Sequence, residues 1–370
     1  MPGCKYFPLM TALAVNHAPS ATLPMRYLGM VPVWGLFASA LIIHDGSALF
    51  ITRWSLNTVA LTHMITLGIL GNAMLGSLLQ FLPVVAGVQL APANALSIKL
   101  PIIFNFALAG LLAGFLQWPT LIPWSAMFLT VSIILHSLGC LLSIRFDGKQ
   151  TWLRIGIFAV LTCLSLTALL GTILAFGLIG ITVIPMQAMT DVHAAIGLLG
   201  GVVLLCGSVG SVIMPMLQGT LALPNNLLRY WITGLICLLV IGVILRFGNH
   251  IDGEFLAKFL MLPLVAFATA IIIFQWQAQH RRNKTLTDFW CLGSLSLILT
   301  AVVIIFVSAP YKSMLAGILA IGIGLPALVL GMLLEIAPFI ASLKLLRLRQ
   351  KGSRLQSVDG LFPELRKQRI

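Results

Sequence analysis

Apolar runs close to twenty residues long follow one another from end to end of the chain, separated by short polar connections. An α-helix needs about 20 apolar residues to cross the hydrocarbon layer, so each run predicts a membrane-spanning helix. Ten segments emerge, roughly 28–44, 56–82, 98–117, 120–144, 153–178, 186–214, 226–246, 256–276, 288–309 and 314–342. Segments two and six are long enough to tilt or to include an interfacial turn. The breaks carry turn-forming residues: His44-Asp45-Gly46, Ala91-Pro92-Ala93-Asn94, Trp118-Pro119, Asp147-Gly148 and Ala309-Pro310. No connection between segments exceeds about 15 residues, which leaves no room for an extramembrane domain. The expected organisation is an N-terminal cytoplasmic segment 1–27, one bundle over 28–343 and a basic cytoplasmic tail 344–370. The fold class is therefore all-α, a polytopic membrane helical bundle.

Composition agrees. Hydrophobic residues make up 59% of the chain and charged ones 8%, with a mean hydropathy of +1.06, whereas soluble domains carry about 25% charged residues. The net charge of +13 would raise the question of nucleic acid in a soluble protein. Here the basic residues gather in alternate loops and the tail. Lys5, Arg26, Lys99, Arg145, Lys149, Arg154, Arg229, Arg281, Arg282, Lys284 and the tail fall on one side; only Arg53, Arg246, Lys258 and Lys312 fall on the other. That asymmetry puts both termini in the cytoplasm of a cell with a multi-pass inner (plasma) membrane protein. The run from Lys344 to Arg354 and the terminal Arg366, Lys367 and Arg369 are suited to anionic headgroups. The first 22 residues do not read as a signal peptide. Six cysteines without a Cys-x-x-Cys pair are poor material for disulfides or a soft-metal site. Nothing resembles a phosphate-binding glycine loop, an HExxH helix or a GxSxG elbow, so neither nucleotide nor nucleic acid is an expected partner.

Two segments share polar features that spanning does not require. Leu61–Gly87 and Val192–Gly219 each place one histidine near the start (His63, His193), small residues through the middle and Pro-x-x-x-Gly at the end (Pro83 to Gly87, Pro215 to Gly219). Segment ten adds a partial copy: Gly331 to Pro338 repeats the Gly-x-x-x-polar-x-x-Pro spacing of Gly76 to Pro83. Similar helices at positions two, six and ten suggest parallel four-helix pseudo-repeats, the last incomplete. Both histidines then lie about 10 Å below the outer surface. A histidine in lipid is costly unless it faces protein, cofactor or water. Two imidazoles at equal depth suit the axial positions of one haem, and Gly68, Gly71, Gly76, Gly197, Gly200, Gly201 and Gly207 would let a bulky ring approach. Interhelical hydrogen bonding and a hydrated transport path remain the other readings of this pair.

These residues resemble the haem-copper oxidase subunit I-like superfamily, nearest to its NnrS-like and uncharacterised bacterial members. The resemblance is carried by Thr62 to Gly68, Gln80 to Gly87, His193 to Gly219 and Gly331 to Pro338. It implies three-fold pseudosymmetric four-helix repeats, cytoplasmic termini and redox centres toward the outer face. His63 matches a second-segment haem ligand and His193 a sixth-segment metal ligand. The resemblance also implies haem, copper and nitric-oxide responses. The chain departs from the pattern in lacking a histidine in segment ten and any His-His pair, so oxygen reduction coupled to proton pumping is not expected and no reaction is assigned.

Glu335, Asn72 and His136 form a candidate proton or substrate path; Glu335 is otherwise expected to snorkel or to pair with Lys344. Asp191 is expected at a helix N-terminus, Thr62 and Thr190 in local backbone bonds, and Asn57, Asn72 and Asn105 in helix–helix bonds. His17, His44, His250 and His280 fall in terminal or loop regions, His44 with Asp45 being a candidate surface metal pair. The sequence is read as a haem-binding protein, with copper as a further candidate, acting in respiratory redox, nitric-oxide response or metal handling. Its expected partners are the lipid bilayer and a respiratory or electron-transfer membrane protein. Two alternatives stay open: a secondary transporter of a small solute or metal, and a non-enzymatic assembly protein for a respiratory complex.

Overall fold

The computed structural model describes residues 19–88, 90, 94–146, 150–278, 284–308, 311–347 and 361–369. Cys4, Lys5, His17, the breaks at Ala91-Pro92-Ala93, Asp147-Gly148 and Ala309-Pro310, the basic stretch 279–283 and tail residues 348–360 lie outside the described residues. Among the described residues ten apolar helices are long enough to cross a membrane. They are α1 (Thr22–Phe50), α2 (Leu56–Val84), α3 (Ile98–Leu116), α4 (Pro119–Leu141) and α5 (Thr151–Leu178). The second five are α6 (Met186–Gln218), α7 (Asn225–Phe247), α8 (Gly253–Trp276), α9 (Lys284–Phe306) and α10 (Lys312–Leu345). A short helix, α11 (Glu364–Lys367), follows near the C-terminus. The protein is an all-α polytopic bundle.

Helix starts follow local chemistry. The Ser55 side chain accepts from the Thr58 amide at the head of α2, and Asp252 accepts from Phe255 at the head of α8, each meeting a donor that has no partner inside the helix. The first helix begins at Thr22, earlier than hydropathy suggests, because Tyr27 and Leu28 bury against Gly76 of α2. The Pro-x-x-x-Gly endings of α2 and α6 also acquire a structural meaning. Gly87 and Gly219 both take positive φ, +63° and +65°, a conformation that suits glycine at a helix stop. The partial copy in α10 has Ser342 at that position, and its helix runs on to Leu345.

Between apolar helices in lipid there is little hydrophobic drive, so close packing at small residues takes over. The α1–α2, α3–α4, α5–α6 and α9–α10 pairs make the most extensive contacts. Gly114 admits Ile122, Gly156 admits Ser208 and Gly331 admits Phe289; at Gly293 an added Cβ would stand 2.8 Å from the Gly324 carbonyl oxygen. Large apolar side chains such as Leu36, Ile43, Phe106 and Phe306 point outward, the arrangement of a surface meant for lipid. Polar bonds join helices inside. Asn72 and Asn105 exchange two 3.0 Å amide bonds between α2 and α3, and the Trp34 indole donates to Asn105 at 2.7 Å.

Three helices depart from α geometry in their middles. The π-helical stretches Met64–Gly71 in α2, Ile196–Val203 in α6 and Ile318–Gly324 in α10 each follow an opening α-helical segment, and α6 has a further one at Met214–Gln218. Such stretches widen a helix and recur at functional sites. The same three helices line one cavity of about 100 Å³.

Candidate metal centre

His63 ends the α-helical opening of α2, immediately before its π-helical stretch, and His193 stands three residues before the corresponding stretch of α6. The two rings face each other across the bundle with centroids 6.4 Å apart and planes inclined by 27°. His63 Nδ1 donates to the Val59 carbonyl one turn back at 2.8 Å. His193 Nδ1 donates to the Thr167 carbonyl of α5 at 3.0 Å. A carbonyl only accepts, so the hydrogen of each neutral ring sits on Nδ1 and each Nε2 keeps its lone pair. This is the arrangement by which a backbone carbonyl orients a metal-binding imidazole.

Neighbours fix both rings. Phe115 of α3 packs on His63, with ring centroids 5.5 Å apart. Gly171 of α5 makes room for His193: a Cβ there would lie 3.1 Å from its Cε1. Phe115, Thr167 and Gly171 were not marked by the sequence pattern. Thr167 and Gly171 lie one turn apart in a run whose small residues carry no individual signal, and a backbone acceptor leaves none at all.

Two imidazoles on opposite sides of one ion, each with a metal–nitrogen bond of about 2 Å and about 1 Å more to the ring centre, have centroids about 6 Å apart. The observed centroid separation of 6.4 Å is of that size, in a pair whose planes are nearly stacked. Among the described residues no group of three or more His, Cys, Asp or Glu side chains gathers as if for a metal. A porphyrin fits less well. Six of the seven glycines expected to admit it are closed by neighbouring side chains: Gly68 by Trp34, Gly76 by Tyr27, Gly197 by Thr167, Gly200 by Cys163, Gly201 by Leu164 and Gly207 by Trp231, while Gly71 has Phe104 at ordinary contact distance. They serve helix contact, not a haem cradle.

The other candidates scatter. Asp191, two residues before His193, turns away from it. It binds Arg246 Nε at 3.1 Å and Arg53 Nη2 at 3.5 Å, tying the end of α7 and the α1–α2 connection to the start of α6. An ion-pair clasp thus replaces the expected helix-terminus role. Thr62 bonds locally to the Thr58 carbonyl, as its type suggests. Asn57 donates to Asp45, whose carboxylate also holds His44, so that carboxylate is already engaged within the protein. Asn72 is taken up by Asn105 and the Gly68 carbonyl. His136 is buried beside Tyr27. Glu335 pairs with Lys367 of α11, not with Lys344. Asn72, His136 and Glu335 therefore have separate surroundings and do not line up as one path.

The chain matches no protein-family model, and no curated protein or solved structure gives a match. The site must be judged by its own geometry.

Proposed function

We propose that this multi-pass membrane protein holds a single metal ion, copper in its cuprous state, between His63 and His193, and that it acts in metal handling. The observation that carries this reading is the facing pair of imidazoles at 6.4 Å, each with Nδ1 committed to a backbone carbonyl. Imidazole is a good ligand for copper, zinc and iron, and a donor set of two without a third suits an ion of low coordination number. The ion would supply Lewis-acid and one-electron character; the protein's part is to hold two neutral rings in fixed tautomers and to shelter them among Phe115, Thr167 and Gly171.

The placement of this site near the outer face of a bacterial inner membrane belongs to the same proposal. It is supported by the basic residues at the opposite end of α2 and α6 and by the positive-inside rule. A four-helix parallel repeat like that of haem-copper oxidase subunit I is supported by π-helical stretches in α2, α6 and α10 and their shared cavity.

Anaerobic titration of the purified protein with cuprous ion against a competing chelator tests the reading. One ion per chain is expected, with affinity falling at least tenfold in His63→Ala and in His193→Ala. Equal affinity in wild type and both variants would overturn it. A Soret band in the purified wild type that either substitution removes would move the assignment from copper to haem.

A further inference from the structure

Two methionines share a helix face with His193, between it and the start of α6. The opening of α6 is regular α-helix over Met186–Ala195, and the Met189 amide already bonds the Pro185 carbonyl at 2.9 Å. Met186, Met189 and His193 follow one another at spacings of three and four residues, so they form one stripe. Two contacts fix where the stripe points. A Cβ at Gly177 of α5 would stand 3.0 Å from Met186 Sδ, and one at Gly171 of α5 would stand 3.1 Å from His193 Cε1. Both ends of the stripe therefore face α5, and Met189 falls between them. All three side chains are partly buried, while Pro185 and Gln187 on either side of Met186 are exposed. The two sulfur-bearing positions thus lead from the exposed start of the helix to the imidazole pair.

Helix geometry sets the steps at about 4.5 Å and about 6 Å along the axis. Helical side chains lean toward the helix start, so His193 leans over the turn that carries Met189, and Met189 over the turn that carries Met186. The partner helix α2 offers nothing comparable: Ala60, Val59 and Leu56 stand three, four and seven residues before His63. A thioether is a soft, neutral ligand that suits a cuprous ion and not a hard cation such as magnesium or calcium. Asp191, the nearest carboxylate in sequence, is held by Arg246 and Arg53 and leaves the stripe to sulfur.

We infer that Met186 and Met189 form a thioether ladder that passes a cuprous ion from the surface at that end of the bundle to the His63–His193 pair. The inference rests on the cuprous reading of that pair and adds its loading route. The ion exchanges one neutral ligand for the next, with no change of oxidation state and no proton released, and comes to rest on the two nitrogens. The sulfurs set how fast the site fills; the imidazoles set how tightly it holds.

Anaerobic stopped-flow mixing of the purified full-length protein with cuprous ion, supplied as a weak coloured chelate, reads both quantities. Met186→Leu combined with Met189→Leu keeps the apolar bulk and removes both sulfurs. It should fill about tenfold more slowly than wild type, with the same equilibrium affinity. Met189→Leu alone, the middle step, should slow filling by itself. Unchanged rates in both variants would overturn the inference and leave two methionines that only pack. A fall in affinity as large as the fall in rate would also overturn it, because the sulfurs would then belong to the resident site. Silver(I), a soft ion of the same charge, reads the sulfurs without the histidines: His63→Ala with His193→Ala should bind it weakly, and adding the two leucines should remove that binding. Silver binding that the leucines leave unchanged would count against the ladder. Absence of cuprous uptake by wild type, with the silver signal intact, would instead overturn the histidine reading.

Discussion

At the scale of single residues, burial decides what each polar side chain does. Asp191 shows this most plainly. Its carboxylate is 9% exposed and lies against Arg246, 11% exposed, while the Arg53 side chain on its other flank is 47% exposed. Removing one partner of a buried pair strands the other, at a cost of about 3 kcal/mol. Exposed partners contribute about 0–1 kcal/mol. Asp191→Ala should therefore lower thermal stability in detergent clearly, and Arg53→Ala hardly at all. Copper affinity should change little in either, because Asp191 does not touch His193. A tenfold loss of copper binding in Asp191→Ala with stability retained would contradict that division of labour. The histidines themselves were legible in the sequence, since a histidine in an apolar run demands a partner. Thr167 was not, because what it offers His193 is a carbonyl that every residue possesses.

At the scale of elements, the hydropathy pattern located the helices well and misjudged their ends. Length and apolarity suffice to mark a spanning helix, whereas the start of α1 depends on Tyr27 and Leu28 meeting Gly76, a contact between distant positions. The shared Pro-x-x-x-Gly ending was visible as a repeat, and its backbone reason became visible only with the positive φ of Gly87 and Gly219. The π-helical stretches left no legible signature, since the small and apolar residues that form them serve equally in an ordinary helix. The glycines stand at helix contacts, where their open side admits neighbouring side chains and backbone. Gly293 is the sharpest example, with the Gly324 carbonyl oxygen 2.8 Å from where its Cβ would stand. Gly293→Leu should part α9 from α10 and lower stability by about 1–3 kcal/mol, the usual range for an overpacked contact. Gly35, which has nothing near it, should accept alanine without loss in the same thermal assay. Equal effects at the two positions would argue against glycine-mediated packing of these helices.

For the whole molecule, an even number of candidate spans, ten among the described residues, is the basis for proposing that both termini lie on one side. The outer basic residues expected from the sequence are neutralised in place: Arg53 and Arg246 on Asp191, Lys258 and Lys312 on Glu254. The basic excess of the sequence is left to the other end, and the proposed cytoplasmic placement of that end rests on this excess. Reporter fusions at both termini should be active only in cytoplasmic form; a periplasmic signal from either would contradict ten spans in this orientation. The tail was the least legible part of the chain. A lysine among basic residues reads as a headgroup contact, and nothing nearby in sequence announces that Lys367 is drawn to Glu335 inside the bundle. The two ends thus hold different chemistry, paired imidazoles at one and the buried Glu335–Lys367 ion pair at the other. X-ray absorption at the copper edge of the cuprous-loaded protein probes the first of these directly. Two imidazole nitrogens at about 2 Å are expected, with the signal lost in His63→Ala and in His193→Ala. Sulfur in the first coordination shell, or a spectrum that survives either substitution, would contradict a metal shared by these two helices.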